Sequence, residues 1–484
     1  MGWDMSNDIS TNKVSTKTKI TVATLAIMNI TTVVSLRGFS AEAEYGITAV
    51  FYYIFAAIAF LIPVALCAAE LATGWPQKGG VFNWVSKAFG HRLGFLAIYL
   101  QWLATTIWFP TVLIFAGVSL AFIGPDQTFD QSLAANRFYS GLVVLIVYWF
   151  DTFISLKGLK TAAKISSFAG LIGTIIPGII LVTLAIIYIL NGNPIHFDLS
   201  MKDFFPNFSN FNNLVLAASI FLFFAGMEIN AVHVTEVDNP SKNYPLAIIS
   251  ATVFTVVIFI LGTLSIATII PKQDINLVQS LLVAYDKLFA HFGLGWLGNI
   301  TAAAITFGVL GQIIAIISGP SAGILQVGRE GYLPLKLQKV NKNGVQNNIL
   351  MCQGGIVTAL VIIMTVLPSV QAAYQMISQL AVVLYLGMYI LLFLSIIYLR
   401  YKEPNTPRPY KLPGGMIGMW IIAGIGLIGS TLAFILSFIP PSQISVGSPV
   451  TYIGILIVGA IGFMLIPFII YACRKPEWLT DKED

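Results

Sequence analysis

Twelve stretches of the chain are long and apolar enough to form helices that cross a lipid bilayer. Each spans about 20 residues or more, the length that a transmembrane helix needs, and polar connections separate them. Numbered in chain order as spans 1 to 12, they cover residues 20–43, 47–73, 82–122, 138–157, 162–190, 212–235, 245–270, 296–325, 348–367, 372–400, 416–438 and 450–473. The pattern predicts an all-α polytopic membrane protein with twelve transmembrane helices.

Span 6 has unusual residues in its middle. The run Phe224-Ala225-Gly226-Met227-Glu228 places a glycine and an ionisable carboxylate where lipid would surround them. A charge at this depth normally faces a protein-lined cavity and marks an ion or substrate path, and a broken helix is tolerated there for the same reason. We therefore predict a break near residues 222–226, with Glu228 at a transport site.

Span 1 carries a similar weak point. The run from Asn29 to Ser35 combines an amide, hydroxyls and successive β-branched residues, which makes a mediocre helix. The alternative is an unbroken helix whose threonine hydroxyls bond back to carbonyls. If the helix breaks, the N–H groups of Val33, Val34 and Ser35 can bind a substrate carboxylate at the positive end of the outer half-helix.

Paired breaks in spans 1 and 6 suit an amino acid. The carbonyls that end the outer half of span 6 would accept hydrogen bonds from an ammonium group, while the N–H groups of span 1 bind the carboxylate. Discontinuous helices at equivalent positions of two five-helix halves are the layout of an inverted-repeat transporter.

The charge pattern predicts the orientation. Of the 26 lysines and arginines, 21 lie in the two termini and the loops that alternate to the same side, and five lie on the other side. By the positive-inside rule, both termini are cytoplasmic. The net charge of +5 therefore reflects topology, and we expect no nucleic-acid partner. The polar residues 1–18 lack the features of a removable signal peptide.

Other function classes find little support in the chain. There is no GxxxxGK[ST] phosphate loop and no HExxH motif, which argues against an ATP-driven pump and against a zinc protease. His233 has Glu228 and Glu236 nearby in sequence, but no second histidine or cysteine completes a metal-ligand set. We expect no metal and no cofactor, and transport driven by existing gradients.

At three places the chain resembles the amino acid/polyamine/organocation (APC) transporters. The matching segments are Phe224-x-Gly226-x-Glu228 followed by Glu236 to Pro245, Pro76 to Val85, and Arg329 to Pro334. Within that superfamily it is most similar to bacterial glutamate/γ-aminobutyrate antiporters, through Ile62 to Thr73, Phe204 to Ser209 and Val340 to Val345. The resemblance runs from about residue 18 to 473.

This resemblance implies a fold and an activity. The fold is a Leu-transporter-like (LeuT) 5+5 inverted repeat over residues 19–400, with two additional helices over 401–473 and short cytoplasmic tails, 1–18 and 474–484. The activity is exchange of an external amino acid for its internal decarboxylation product by alternating access in the bacterial inner membrane. A cytoplasmic decarboxylase encoded elsewhere would consume a proton in each cycle, which would give acid resistance. The C-terminal plug of such antiporters is not expected here.

The resemblance also assigns residues. Thr32, Val33 and Val34 fall on the span 1 break, Glu228 on the family's span 6 carboxylate, and Tyr385 and Tyr389 on its pocket tyrosines. Glu228 is interpreted as a proton-sensing or gating group, or alternatively as a structural carboxylate that shapes the site. The two tyrosines share one helical face and would either line the pocket or only pack.

Further candidates complete the predicted site. Arg37 is a departure from the relatives and would bind a substrate's side-chain carboxylate or guard the outer vestibule, unless it pairs with Glu42 or Glu44. Lys164 would replace a coupling sodium or snorkel to the interface. The predicted substrate-binding set is Asn29, Thr32, Val33, Val34, Ser35, Arg37, Phe224, Gly226, Gln312, Tyr385 and Tyr389. Trp108 would either close the pocket or only pack. An amino-acid/proton symporter and a nontransporting amino-acid sensor remain alternatives to antiport.

Overall fold

The computed structural model describes residues 20–76, 79–124, 126–157, 165, 168–206, 218–231, 237–441 and 447–480. Within these ranges, β-pairing is confined to two isolated bridges, Ile20 with Val237 and Glu330 with Leu479. The helices, in chain order, are Val22–Val33, Arg37–Glu42, Thr48–Gly74, Val81–Phe89, His91–Ala121, Gln127–Ala134, Arg137–Ser155, Phe168–Leu190, Met201–Phe204, Ser219–Phe223, Met227–Ala231, Pro240–Ile269, Ser280–His291, Trp296–Ile316, Gly319–Arg329, Asn347–Val366, Val370–Lys402, Gly415–Leu436 and Pro449–Ala472.

Ten helices in the described part of the chain are long and apolar enough to cross a bilayer. They correspond to all the predicted spans except 1 and 6, and each of those two is represented by a pair of short helices. The prediction of an all-α polytopic membrane protein is thereby confirmed. The inverted repeat and the division at residue 400 remain predictions.

Two predicted spans differ in detail from the structure. Predicted span 3, residues 82–122, is divided at Gly90 into the helices Val81–Phe89 and His91–Ala121. Gly90 has a φ of +93°, a conformation that glycine adopts without a steric penalty. Span 8 consists of the helices Trp296–Ile316 and Gly319–Arg329, joined by a turn at Ile317 and Ser318.

Spans 3 and 10 form the centre of the bundle. They pack against each other, and 89% and 72% of their most apolar segments are buried, against 17% for span 12. A helix that is apolar on all sides is suited to such a central position because other helices can cover each of its faces. The central pair therefore carries side chains that face other helices.

A buried ion-pair cluster joins span 2 to the far end of span 10. Glu70 is fully buried and lies 2.5 Å from Nε of Arg400 and 3.5 Å from Nε of Arg408. Its Oε2 also accepts the backbone N–H of Leu412 at 2.7 Å. Each buried charge has its opposite in contact, as stability in a low-dielectric environment requires.

The C-terminal segment is docked on the loop that follows span 8. Leu479 pairs with Glu330 in an antiparallel bridge, and the N–H of Thr480 donates to the carbonyl of Arg329 at 2.9 Å. Gln338 completes the contact, because its Nε2 donates to the carbonyl of Trp478 at 2.7 Å.

Spans 5 and 8 approach backbone to backbone at two glycines. A Cβ placed on Gly308 would lie 2.6 Å from the Cα of Gly173, a distance that real side chains do not adopt. The close crossing therefore depends on the absence of side chains at both positions.

We predict that Gly173→Ala and Gly308→Ala each destabilise the protein by about 1–3 kcal/mol, because the added methyl group forces the two helices apart. Thermal unfolding of the purified protein in detergent measures the effect. The matched control is Gly170→Ala on span 5, where an added Cβ meets nothing within 4 Å. Equal unfolding temperatures for all three variants would contradict the prediction.

Candidate substrate site between the broken spans

Span 1 breaks immediately after Val33. Val34 is extended, with φ −72° and ψ 125°, and the outer half restarts as the helix Arg37–Glu42. The predicted break is present, but the expected hydrogen-bond donors are shifted. The N–H of Val34 already donates to Ile30 at 2.8 Å, and Val33 is within the inner helix. The prediction that these two N–H groups are free is wrong, because the β-branched run stays helical through Val33 and the N–H of Val34 still donates to the helix.

Span 6 breaks at Phe224 to Gly226, between the helices Ser219–Phe223 and Met227–Ala231. Gly226 has a φ of +113°, which an L-amino acid with a side chain rarely adopts. A Cβ on Gly226 would lie 3.2 Å from Cγ2 of Thr32. The two predicted breaks are thus neighbours, and glycine permits their close approach.

Glu228 is fixed by three side chains from two other spans. Its Oε1 accepts from Nε2 of Gln101 at 3.0 Å and from the hydroxyl of Tyr385 at 2.7 Å. Its Oε2 accepts from the hydroxyl of Tyr389 at 2.5 Å, and Glu228 is only 2% exposed. Tyr389 also accepts the N–H of Gly226 at 2.9 Å, so the same hydroxyl satisfies a backbone group released by the break.

A cavity of about 440 Å³ lies between the two breaks. One end is lined by Arg37, Trp108 and Phe223, and the other extends past Gly80 and Gly323. Under the predicted topology, the first end faces outward and the second faces the cytoplasm. The volume lies in the range typical of small-molecule sites.

Most of the predicted site residues meet at this cavity. The lining includes Thr32, Val33, Ser35, Arg37, Gly226, Glu228, Gln312 and Tyr385, together with Trp108.

Four predicted residues lie behind the cavity wall. Asn29 is buried and its amide donates to the carbonyl of Leu25 at 2.8 Å. Phe224 packs edge-on against Phe259, and Tyr389 reaches the cavity only through Glu228. Val34 does not contribute to the lining either. Lys164 lies outside the described residues.

Sequence reasoning missed Gln101 and Thr105 of span 3, which also line the cavity. Gln101 contacts Glu228 directly. The available signal was a neutral amide in the middle of an otherwise apolar span, since such a group requires a partner away from lipid.

Arg37 occupies the outer end of the cavity and is 2% exposed. Its Nη1 donates to Oγ1 of Thr111 at 2.7 Å, and its guanidinium lies 5.0 Å from the ring centre of Trp108 and 5.6 Å from that of Phe223. The suggested pairing with Glu42 or Glu44 is wrong, because no ion pair joins Arg37 to these two residues. Glu42 instead accepts from the hydroxyl of Ser219 at 2.5 Å.

Comparison with known proteins assigns this architecture to a family. The amino acid permease family matches residues 20–461, nearly the whole chain. The chain belongs to this family, within the APC superfamily.

Several relatives of this permease are named as transporters. It is 37% identical to an uncharacterized transporter of Legionella pneumophila over 96% of this chain and 99% of the relative. It is 36% identical to the glutamate/gamma-aminobutyrate antiporter of Lactococcus lactis over 87% of this chain and 84% of the relative. A probable agmatine/putrescine antiporter of the same species is 25% identical over 91% of this chain.

We predict that Tyr389→Phe destabilises the permease by about 1–3 kcal/mol, because it leaves the buried N–H of Gly226 without an acceptor and removes one donor from Glu228. Thermal unfolding in detergent measures the loss. Tyr244→Phe is the matched control, since Tyr244 is fully buried and its hydroxyl has no hydrogen-bond partner among the described residues. Equal losses in the two variants would contradict the assigned role of the Tyr389 hydroxyl.

Proposed function

We propose that this permease is a secondary antiporter that exchanges glutamate, or a closely related amino acid, for γ-aminobutyrate by alternating access. The observation that carries the proposal is the cavity between two helix breaks, lined by Glu228 and Arg37, in a chain 36% identical to a glutamate/gamma-aminobutyrate antiporter. The relative supplies the substrate pair, and the cavity supplies groups that such substrates require.

The groups around the cavity complement a zwitterion. The outer half of span 6 ends at the break, where the carbonyls of Ile220 and Leu222 accept from Phe224 and Ala225. The negative end of the helix dipole at this position suits an ammonium group. The outer half of span 1 begins after Ser35, so the N–H groups there suit a carboxylate. Thr32, Gln312 and Tyr385 add polar side chains to the lining.

Glu228 is proposed as the proton-sensing or gating group. Its carboxyl lines the cavity and is bonded to Tyr385 of span 10 and Gln101 of span 3. A change in its protonation would alter these bonds, and with them the attachment of span 6 to its neighbours. The opposing interpretation, a carboxylate that only shapes the site, predicts transport that is independent of its charge.

The exchange would have a cellular consequence. Cytoplasmic decarboxylation of glutamate to γ-aminobutyrate consumes a proton, and export of the product completes the cycle. We propose that the transporter lies in a bacterial inner membrane with both termini cytoplasmic, is functionally coupled to a decarboxylase, and supports acid resistance.

Proteoliposome uptake tests the proposed function. We expect uptake of labelled glutamate that requires γ-aminobutyrate inside the vesicles. Equal uptake into empty vesicles under a proton gradient would identify a symporter instead, and ligand binding without flux would identify a sensor.

We predict that Glu228→Gln lowers the exchange rate at least about tenfold, since the amide cannot change charge and accepts fewer hydrogen bonds from its three partners. The initial rate of glutamate uptake measures it. Glu42→Gln is the matched control, because Glu42 is a buried glutamate of span 1 that does not line the cavity. Wild-type exchange by the monodisperse Glu228→Gln protein would exclude a coupling role.

A further inference from the structure

A buried guanidinium without an ionic partner lies at the outer end of the cavity. Arg37 donates one hydrogen bond, to Thr111, while its Nε has no hydrogen-bond partner and no ion pair with a carboxylate in the described part of the chain. Trp108 and Phe223 lie against its guanidinium. Arg37 is also a lining residue of the cavity.

Such an arrangement costs folding free energy if the protein binds no anion there. Burying a charge costs free energy unless hydrogen bonds and an opposite charge compensate it, as Arg400 does for Glu70. An arginine at membrane depth usually faces a partner or a pathway. Aromatic rings stabilise a cation but leave its N–H donors unsatisfied. The missing component is an anion that fits two parallel N–H donors, such as a carboxylate.

We infer that Arg37 binds the distal carboxylate of the substrate, which is the group that glutamate and γ-aminobutyrate have in common. The inference rests on the proposed function and adds the group by which the transporter recognises both members of the pair. Arg37 would thus be a specificity-determining residue.

The chemistry of the pair requires such a group. Decarboxylation removes the α-carboxylate of glutamate and leaves the amino group and the distal carboxylate, three methylene carbons apart in the product. A site that relied on the α-carboxylate alone would reject γ-aminobutyrate. Exchange of precursor for product therefore depends on recognition of the amine and the distal carboxylate.

The two ends of the cavity are suited to these two groups. Ser219 of the outer half of span 6 bonds to Glu42 of the outer half of span 1, and the inner halves, Val22–Val33 and Met227–Ala231, also contact each other. Arg37 belongs to an outer half and Glu228 to an inner half, so the cation and the carboxylate lie on opposite sides of the breaks. A molecule with an amine at one end and a carboxylate at the other matches this polarity.

A different role for Arg37, as part of an outer gate with Trp108, predicts another result. A gate acts on every substrate, so its loss changes all rates by a similar factor. A carboxylate-binding group acts on selectivity, because glutamine has the length of glutamate but a neutral amide at its end.

The experiment compares glutamate with glutamine in vesicles loaded with γ-aminobutyrate. For Arg37→Gln we expect the ratio of kcat/KM for glutamate to that for glutamine to fall at least about tenfold, since a site built for a charged group discriminates strongly. We also expect the KM of γ-aminobutyrate to rise. Arg37→Lys should keep part of the selectivity, because it retains the charge but not the planar fork.

Arg137→Gln is the matched control. Arg137 lies at the start of span 4, donates to the carbonyl of Leu367 at 2.8 Å and does not line the cavity. Its loss should leave the selectivity ratio unchanged. If kcat/KM falls by the same factor for glutamate and glutamine in Arg37→Gln, the inference is overturned.

Thr111→Val provides a second test that does not depend on the folding of Arg37→Gln. It removes the acceptor that positions Nη1 of Arg37, so the KM of glutamate should rise while that of glutamine changes little. An unchanged selectivity ratio would count against the inference. If the wild-type protein does not exchange glutamate for γ-aminobutyrate, the proposed function fails. If it does, and the Arg37 variants keep the wild-type ratio, only the inference fails.

Discussion

The hydrogen bonds around Glu228 are the constraint on which the site depends. A helix that unwinds inside a membrane exposes backbone groups that lipid cannot satisfy, and here Tyr389 satisfies the N–H of Gly226. The same hydroxyl donates to Glu228, which Tyr385 and Gln101 also contact. One buried carboxylate therefore connects the break of span 6 to the two central spans, next to the cavity that it lines.

Sequence patterns located both breaks but not every donor. The glycine and glutamate of span 6 conflict with a lipid environment, which made that break predictable. The break of span 1 lies later than expected, because Val33 and Val34 keep their helical hydrogen bonds. The turn at Gly90 was missed although the polar residues His91 and Arg92 directly after it interrupt the apolar pattern. Asn29 and Phe224 lie behind the wall, since a span that is apolar all round gives no periodic signal for its cavity-facing side.

Two buried charged residues of this permease differ in their partners. Glu70 has two arginines within 3.5 Å and a backbone donor, so it is complete within the protein. Among the described residues, Arg37 has one neutral acceptor and two aromatic neighbours. Both are equally conspicuous as charged residues in the sequence. Only the three-dimensional contacts distinguish a structural ion pair from a charged group that is suited to a bound ligand of opposite charge.

The docked C-terminal segment connects distant parts of the molecule. Residues 478–480 are bonded to the loop that continues the helix Gly319–Arg329, and Gly319, Pro320 and Gly323 of that helix line the cavity. Cys473 lies just before this segment and is exposed to solvent. A fluorophore attached to that thiol would lie beside the docked C-terminal segment, which is bonded to the loop after a cavity-lining helix. Its fluorescence would report on movement of that helix during turnover.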